Sequence, residues 1–137
     1  MSALSFVAEL ERIGDHGKKI ARICQRSSAE PRPIPLGGIG RMSEIALAMV
    51  DDALNALAAR DPEAARAASA RDDEVDALYK QTFNVALSYM LADTRAISAG
   101  THLIQVGHEL ERVADRATNV AERVIYVVSG ELVDLNA

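Results

Sequence analysis

A chain of 137 residues can bury one ordinary core and is too short for two independent domains. Aromatic residues are only 4% and Trp is absent, while Ala, Leu, Val and charged residues dominate; this balance excludes a typical β-sandwich and points to an all-α bundle. The formal charge of −5 argues against nucleic acid as partner and favours cations or basic surfaces instead.

Taken in chain order, the first predicted helix covers about residues 3–26, with an apolar seam of Val7, Leu10, Ile13, Gly17, Ile20 and Cys24. Cys24 is the single cysteine, so no intramolecular disulfide can form, and it is expected to be a small buried apolar residue in a reducing compartment. From Ser27 to Gly40, the prolines 31, 33 and 35 and the glycines 37, 38 and 40 exclude a helix. Met42, Ile45, Ala46, Met49, Ala53, Ala56 and Leu57 carry a second helix, about 41–60. Asp61-Pro62-Glu63 then starts a third, with Asp61 as cap, Pro62 where no donor is needed and Glu63 near the positive helix end. It runs to about 91 and is expected to bury Val75, Leu78, Phe83, Leu87 and Met90 or close neighbours. The last helix, 94–129, is capped by Asp93 and ended by Gly130. Its seam is Leu103, Val106, Leu110, Val113, Ala117, Val120, Val124 and Val127. No apolar run reaches the length needed to span a bilayer, and the start lacks signal-peptide features, so a cytoplasmic location is expected.

Glu9-Leu10-Glu11-Arg12-Ile13-Gly14-Asp15 returns one hundred positions later as Glu109-Leu110-Glu111-Arg112-Val113-Ala114-Asp115. Charged and apolar residues recurring at one offset mark a duplicated unit. The expected organisation is residues 1–29 as the last helix of a partial first repeat, 30–40 as a Pro/Gly linker, and 41–137 as a complete repeat of three antiparallel helices. A first helix without its repeat partners must cover its stripe, and pairing between chains, as a homodimer, is the expected solution.

The candidate chemistry lies on carboxylates. Glu11 and Asp15, Asp72 and Asp76, and Glu111 and Asp115 are each four residues apart on predicted helices, so each pair projects from one face. Glu111, Asp115, Thr118 and Glu122 fall on a stripe turned away from the apolar seam. Oxygen donors of this kind suit hard cations such as Mg²⁺, Mn²⁺, Ca²⁺ or oxidised iron. The competing reading is a solvated face, with Arg112 pairing with Glu109 and Arg116 beside Asp115. Asn119, one turn on, ranks below the carboxylates as a ligand. His16, His102 and His108 form no Glu-x-x-His spacing and read as surface or cap histidines. There is no phosphate-binding Gly-rich loop and no nucleophile in a recognisable setting, so no catalytic role is expected.

The run Leu110-Glu111-Arg112-Val113-Ala114-Asp115-Arg116-Ala117-Thr118-Asn119-Val120-Ala121-Glu122, followed by Val124-Ile125-Tyr126-Val127-Val128-Ser129-Gly130, resembles the closing helix of the PhoU family of phosphate-uptake regulators. Asp72-Asp73-Glu74-Val75-Asp76-Ala77-Leu78-Tyr79 is similar to that family's second-helix motif, and Leu10-Glu11-Arg12-Ile13-Gly14-Asp15-His16 to the equivalent stretch of the first repeat. The resemblance implies a PhoU-like up-down three-helix repeat preceded by one helix of a truncated repeat. It implies a non-enzymatic cytoplasmic regulator that binds metal (iron, Mn, Mg or Zn) through Asp72, Asp76, Glu111 and Asp115, with Glu11 and Asp15 serving the partial repeat. The implied partners are the ATPase of the phosphate ABC transporter and a membrane sensor histidine kinase, in negative regulation of the phosphate-starvation response. Lys18-Lys19 stand where the second repeat has Thr118-Asn119, a departure that sets the two repeats' sites apart. A ferritin-like carboxylate bundle handling iron, or a metal-free helical scaffold, are the alternatives.

Overall fold

The computed structural model describes residues 3–30 and 33–130, and every regular element among them is helical. Helix α1 spans Ala3–Ser27, α2 Ile39–Ala59, α3 Pro62–Ser69, α4 Asp72–Ala92 and α5 Ile97–Ser129, with a single 3₁₀ turn at Thr94–Ala96. α5 is the axis, packing against each of the other four helices. Its predicted seam is buried from Leu103 to Val124, whereas Val127 is 40% exposed at the end of the bundle. Thr118 does not share the polar stripe expected of it; it is fully buried, with its hydroxyl donating to the Ala114 carbonyl at 3.2 Å. A helix surrounded on several sides buries a wider arc than one seam.

The core has two parts. Met42, Ile45 and Met49 of α2 meet Val75 of α4 and Val106, Leu110 and Val113 of α5 in one. In the other, Ala53, Ala56, Ala65 and Ala68 let α2 and α3 approach Val120, Val124 and Ile125 closely. Each fully buried Ile, Val or Met removes apolar surface that stabilises the fold by about 1.5–3 kcal/mol.

The predicted third helix is broken. Ala70 (φ −65°, ψ −18°) and Arg71 (φ −92°, ψ 1°) leave the α-helical ladder between α3 and α4. The Asp61 cap holds as expected, its Oδ1 accepting from the N–H groups of Glu63 (3.0 Å) and Ala64 (3.2 Å). Arg60, at φ 51° and ψ 46°, closes α2 in the left-handed region with its N–H on the Leu57 carbonyl. Asp61→Ala should lower unfolding stability by about 1 kcal/mol in urea denaturation, because two helix-end donors lose their acceptor. Gly130 (φ 71°) ends α5 as predicted, but Asp93, accepting from the Arg95 N–H at 2.9 Å, caps the 3₁₀ turn, and α5 begins at Ile97 without a side-chain cap.

α4 keeps Val75 and Leu78 against the core as expected, but further along it turns the neighbouring residues inward. Phe83 and Leu87 are 39% and 38% exposed, and Thr82 and Ala86 are buried instead. Close approach explains the exchange: the Gly38 N–H donates to Thr82 Oγ1 at 3.0 Å, and a Cβ on Gly38 would lie 3.2 Å from Leu78 Cδ2. Pro31 lies outside the described residues.

α1 packs on α5 within the same chain, so its inner stripe needs no second chain for cover. Ile23 joins the first core cluster with Ile13 and Ile20 beside it, and Phe6 joins the second. Glu9 and His16, both buried, complete that face. Val7, Leu10, Gly17 and Cys24, expected in the seam, are exposed. The face that won carries polar groups with partners on α5: Glu9 Oε1 lies 3.1 Å from Arg123 Nη1, and His16 Nδ1 lies 2.6 Å from Glu109 Oε2. His16 is therefore a buried interhelical contact, not a surface residue. Glu109 takes this partner, and Arg112 is absent from its ion pairs among the described residues. Below them, Glu30 pairs with His102 and accepts from Ser98 Oγ at 2.8 Å.

Candidate metal centre

Asp72 and Asp76 occupy the first two turns of α4, and Glu111 and Asp115 the middle of α5. Because α4 lies along α5, the two i, i+4 pairs face each other. All four line one open cleft of about 670 Å³ together with Tyr79, Lys80, Arg116 and Asn119. The cleft is on the outside of the bundle, but each carboxylate is half-buried rather than fully solvated.

That partial burial has an electrostatic cost. Burial, then the charges of Asp76, Asp115 and Asp73, push the Asp72 carboxyl up to about 6. Glu111 is pushed up to about 7 by burial, by a hydrogen bond shared with Asp76, and by the charges of Asp76, Asp115 and Asp72. Asp115 is also raised, by burial and Asp76, with Arg116, Arg112 and His108 pulling the other way. Carboxylates crowded in this way favour either a shared proton or a cation. Asp72 Oδ1 is buried and has no hydrogen-bond partner. An orphaned acceptor beside three more acids fits a hard cation better than a self-sufficient surface network.

Asp73 was not singled out in the sequence. Ligand oxygens of Asp72, Asp73 and Asp76 lie within 4.8 Å of one another, although Asp73 is exposed. Its position beside Asp72 in a helix's first turn was the available signal. Asn119 lines the cleft as the lower-ranked donor. Glu11 and Asp15 are exposed on α1, and among the described residues they join no grouping of three such ligands. The structure therefore lines one cleft with four of the six candidate residues, of which only Asp72 and Asp76 belong to a group of three close ligand atoms, and leaves Glu11 and Asp15 apart.

The architecture is that of a helical bundle protein with an open carboxylate cleft, in which a long central helix supplies half of the acids. The PhoU domain family model matches residues 39–124, and the chain belongs to that family. It is 38% identical over 132 residues to the phosphate-specific transport system accessory protein PhoU homolog of Rhizobium meliloti, covering 95% of this chain and 55% of that protein. Its identity to the Clostridium acetobutylicum homolog is 37% over 135 residues, covering 98% and 62%. The crystal structure of PhoU from Pseudomonas aeruginosa superposes with a TM-score of 0.81 at 36% identity, over 93% of this chain and 61% of that one. The Streptococcus pneumoniae phosphate transport system regulatory protein PhoU gives 0.82 at 29% identity, over 95% and 61%. The chain thus spans little more than half the length of these relatives.

Proposed function

We propose that this chain is a non-enzymatic regulator of phosphate uptake whose working site is a cation held by Asp72, Asp76, Glu111 and Asp115. The observation that carries the reading is that these four acids from α4 and α5 line one cleft, together with the unpartnered Oδ1 of Asp72. The names of the relatives supply the phosphate-transport setting. A bound hard cation, whether iron, Mn, Mg or Zn, would neutralise the crowded carboxylates and tie α4 to α5. In this reading residues 41–137 act as one repeat and α1 as the closing helix of another, in the cytoplasm, and a homodimer would pair through the exposed Leu4, Val7 and Leu10 of α1 rather than through its covered inner stripe. Its partners are the ATPase of a phosphate ABC transporter and a sensor histidine kinase. No helix among the described residues is long and apolar enough to cross a membrane, which is compatible with docking on membrane proteins from outside the bilayer.

The test is metal content and melting with and without added Mg²⁺, Mn²⁺, Zn²⁺ or iron. The wild type should gain about 2.7 kcal/mol of stability at a hundred times the dissociation constant. Glu111→Gln with Asp115→Asn should lose the bound metal and that gain. An identical response of the two proteins to metal and chelator would leave the metal-free scaffold as the better account. A ferritin-like role is disfavoured because the acids line a surface cleft rather than a bundle core; sustained iron oxidation by dioxygen would reverse that judgement.

A further inference from the structure

A second cleft, of about 540 Å³, lies between α1 and the α4–α5 pair, and its chemistry is opposite in sign. Lys19, Arg22 and Arg26 line it from α1 at spacings of three and four, so one helix face presents all three cations. The segment Lys18–Arg26 holds four cations and no acid, in a chain whose formal charge is −5. Among the described residues, Lys19, Arg22 and Arg26 make no ion pair. The acid in the lining, Glu109, is already engaged, with its Oε2 2.6 Å from the buried His16. Opposite the cations, α5 contributes His108 and the Gln105 amide, above an apolar floor of Ile23 and Ile104.

We propose that this basic cleft binds a small phosphate-bearing anion. Two guanidinium groups one turn apart, with an ammonium beside them, match a tetrahedral dianion whose oxygens can accept from both forks. A phosphate dianion also carries twice the charge of chloride or a single carboxylate and offers more acceptor oxygens than either. The volume lies within the range of small-molecule sites, so the phosphate group can be free or carried on a nucleotide. Tyr79 lines this cleft and the carboxylate cleft alike, so the two sites are neighbours across one ring. The anion site does not depend on the metal reading, because its cations stand on α1 and none of them touches the four acids.

Amide NMR titrations of the full chain, in chelator and at constant ionic strength, test the proposal with potassium phosphate, pyrophosphate and metal-free ATP as separate probes. Constant ionic strength matters because screening alone would move exposed basic groups. Saturable changes confined to residues 19–26 and 104–109, half-maximal in about the millimolar range or below, are expected for at least one probe. The probe that saturates lowest identifies the source of the phosphate group. Arg22→Gln with Arg26→Gln should weaken that binding at least tenfold while circular dichroism and melting stay as in wild type. Lys80→Gln, in the carboxylate cleft, should leave it unchanged. Two results would overturn the proposal: no saturation with any probe, or equal affinity in the arginine variant.

Discussion

Glu9→Ala is expected to destabilise the fold by about 2–3 kcal/mol, the largest single effect at the α1–α5 contact. The Glu9 side chain is 2% exposed and faces three guanidinium groups: Arg12 at 3.4 Å, Arg123 at 3.1 Å and Arg116 at 3.6 Å. Removing one member of a buried ionic group leaves the remaining charges without compensation, which costs more than the group's net contribution to stability. Arg116 and Arg123 are 22% and 25% exposed, so water relieves part of that cost and the lower end of the range applies. Glu9→Gln keeps the volume and should recover part of the loss. Urea unfolding of both variants measures the effect, and a change below about 0.5 kcal/mol for alanine would show that α1 is held by its isoleucines alone.

Metal-free protein should lose stability as pH rises from about 4 to about 7, and Glu111→Gln should remove much of that loss. The folded Glu111 carboxyl titrates at about 7 against an ordinary value of 4.5, so folding disfavours its charged form. Below the unfolded value the group is protonated in both states and costs nothing. Between the two values the folded state holds more protons, and stability falls with pH until the folded value is passed. Glu111 is open to solvent on one side, which screens the repulsion, so the expected gain of the Gln variant at pH 8 is about 1–2 kcal/mol. At pH 4 the difference should vanish. Thermal melting across pH in chelator decides it; a variant no more stable than wild type at pH 8 would contradict the crowding.

The seam of α5 was legible because apolar residues recur at threes and fours over seven turns and the real buried face contains them all except Val127. α1 was misread for a physical reason. Ile13 and Ile20 of its predicted seam do pack on the core, but Leu10, Gly17 and Cys24, equally regular in spacing, are exposed, and the true inner face adds Ile23, Glu9 and His16. Those polar residues are acceptable inside only because Arg116, Arg123 and Glu109 meet them, and partners on another helix have no local signature. The same holds for Thr82, whose burial depends on the backbone of Gly38 coming close. At the site, each i, i+4 pair was readable within its own helix. That Asp72 and Asp76 face Glu111 and Asp115 follows from the register of α4 on α5, which periodicity does not contain and the family resemblance did. The break after Ser69 lies at Ala70 and Arg71, good helix formers without proline or glycine, so the only local hint of it is the acidic run Asp72-Asp73-Glu74 suited to a helix's first turn.

That break changes what the acidic cleft can tolerate. Had residues 62–92 formed one helix, Asp72, Asp73 and Asp76 would lie in its interior, where every N–H is spent on a carbonyl and the backbone offers negative charge nothing. Instead a second helix begins at Asp72, halfway along the bundle, and its first turn carries Asp72, Asp73 and Glu74. The positive end of the α4 dipole is thereby delivered to the spot where the carboxylates crowd. The interruption acts as a fixed partial positive charge built from backbone alone, present whether or not an ion is bound. It offsets only part of the repulsion, as the raised Asp72 carboxyl and its unpartnered Oδ1 show, and leaves the rest for a cation to satisfy.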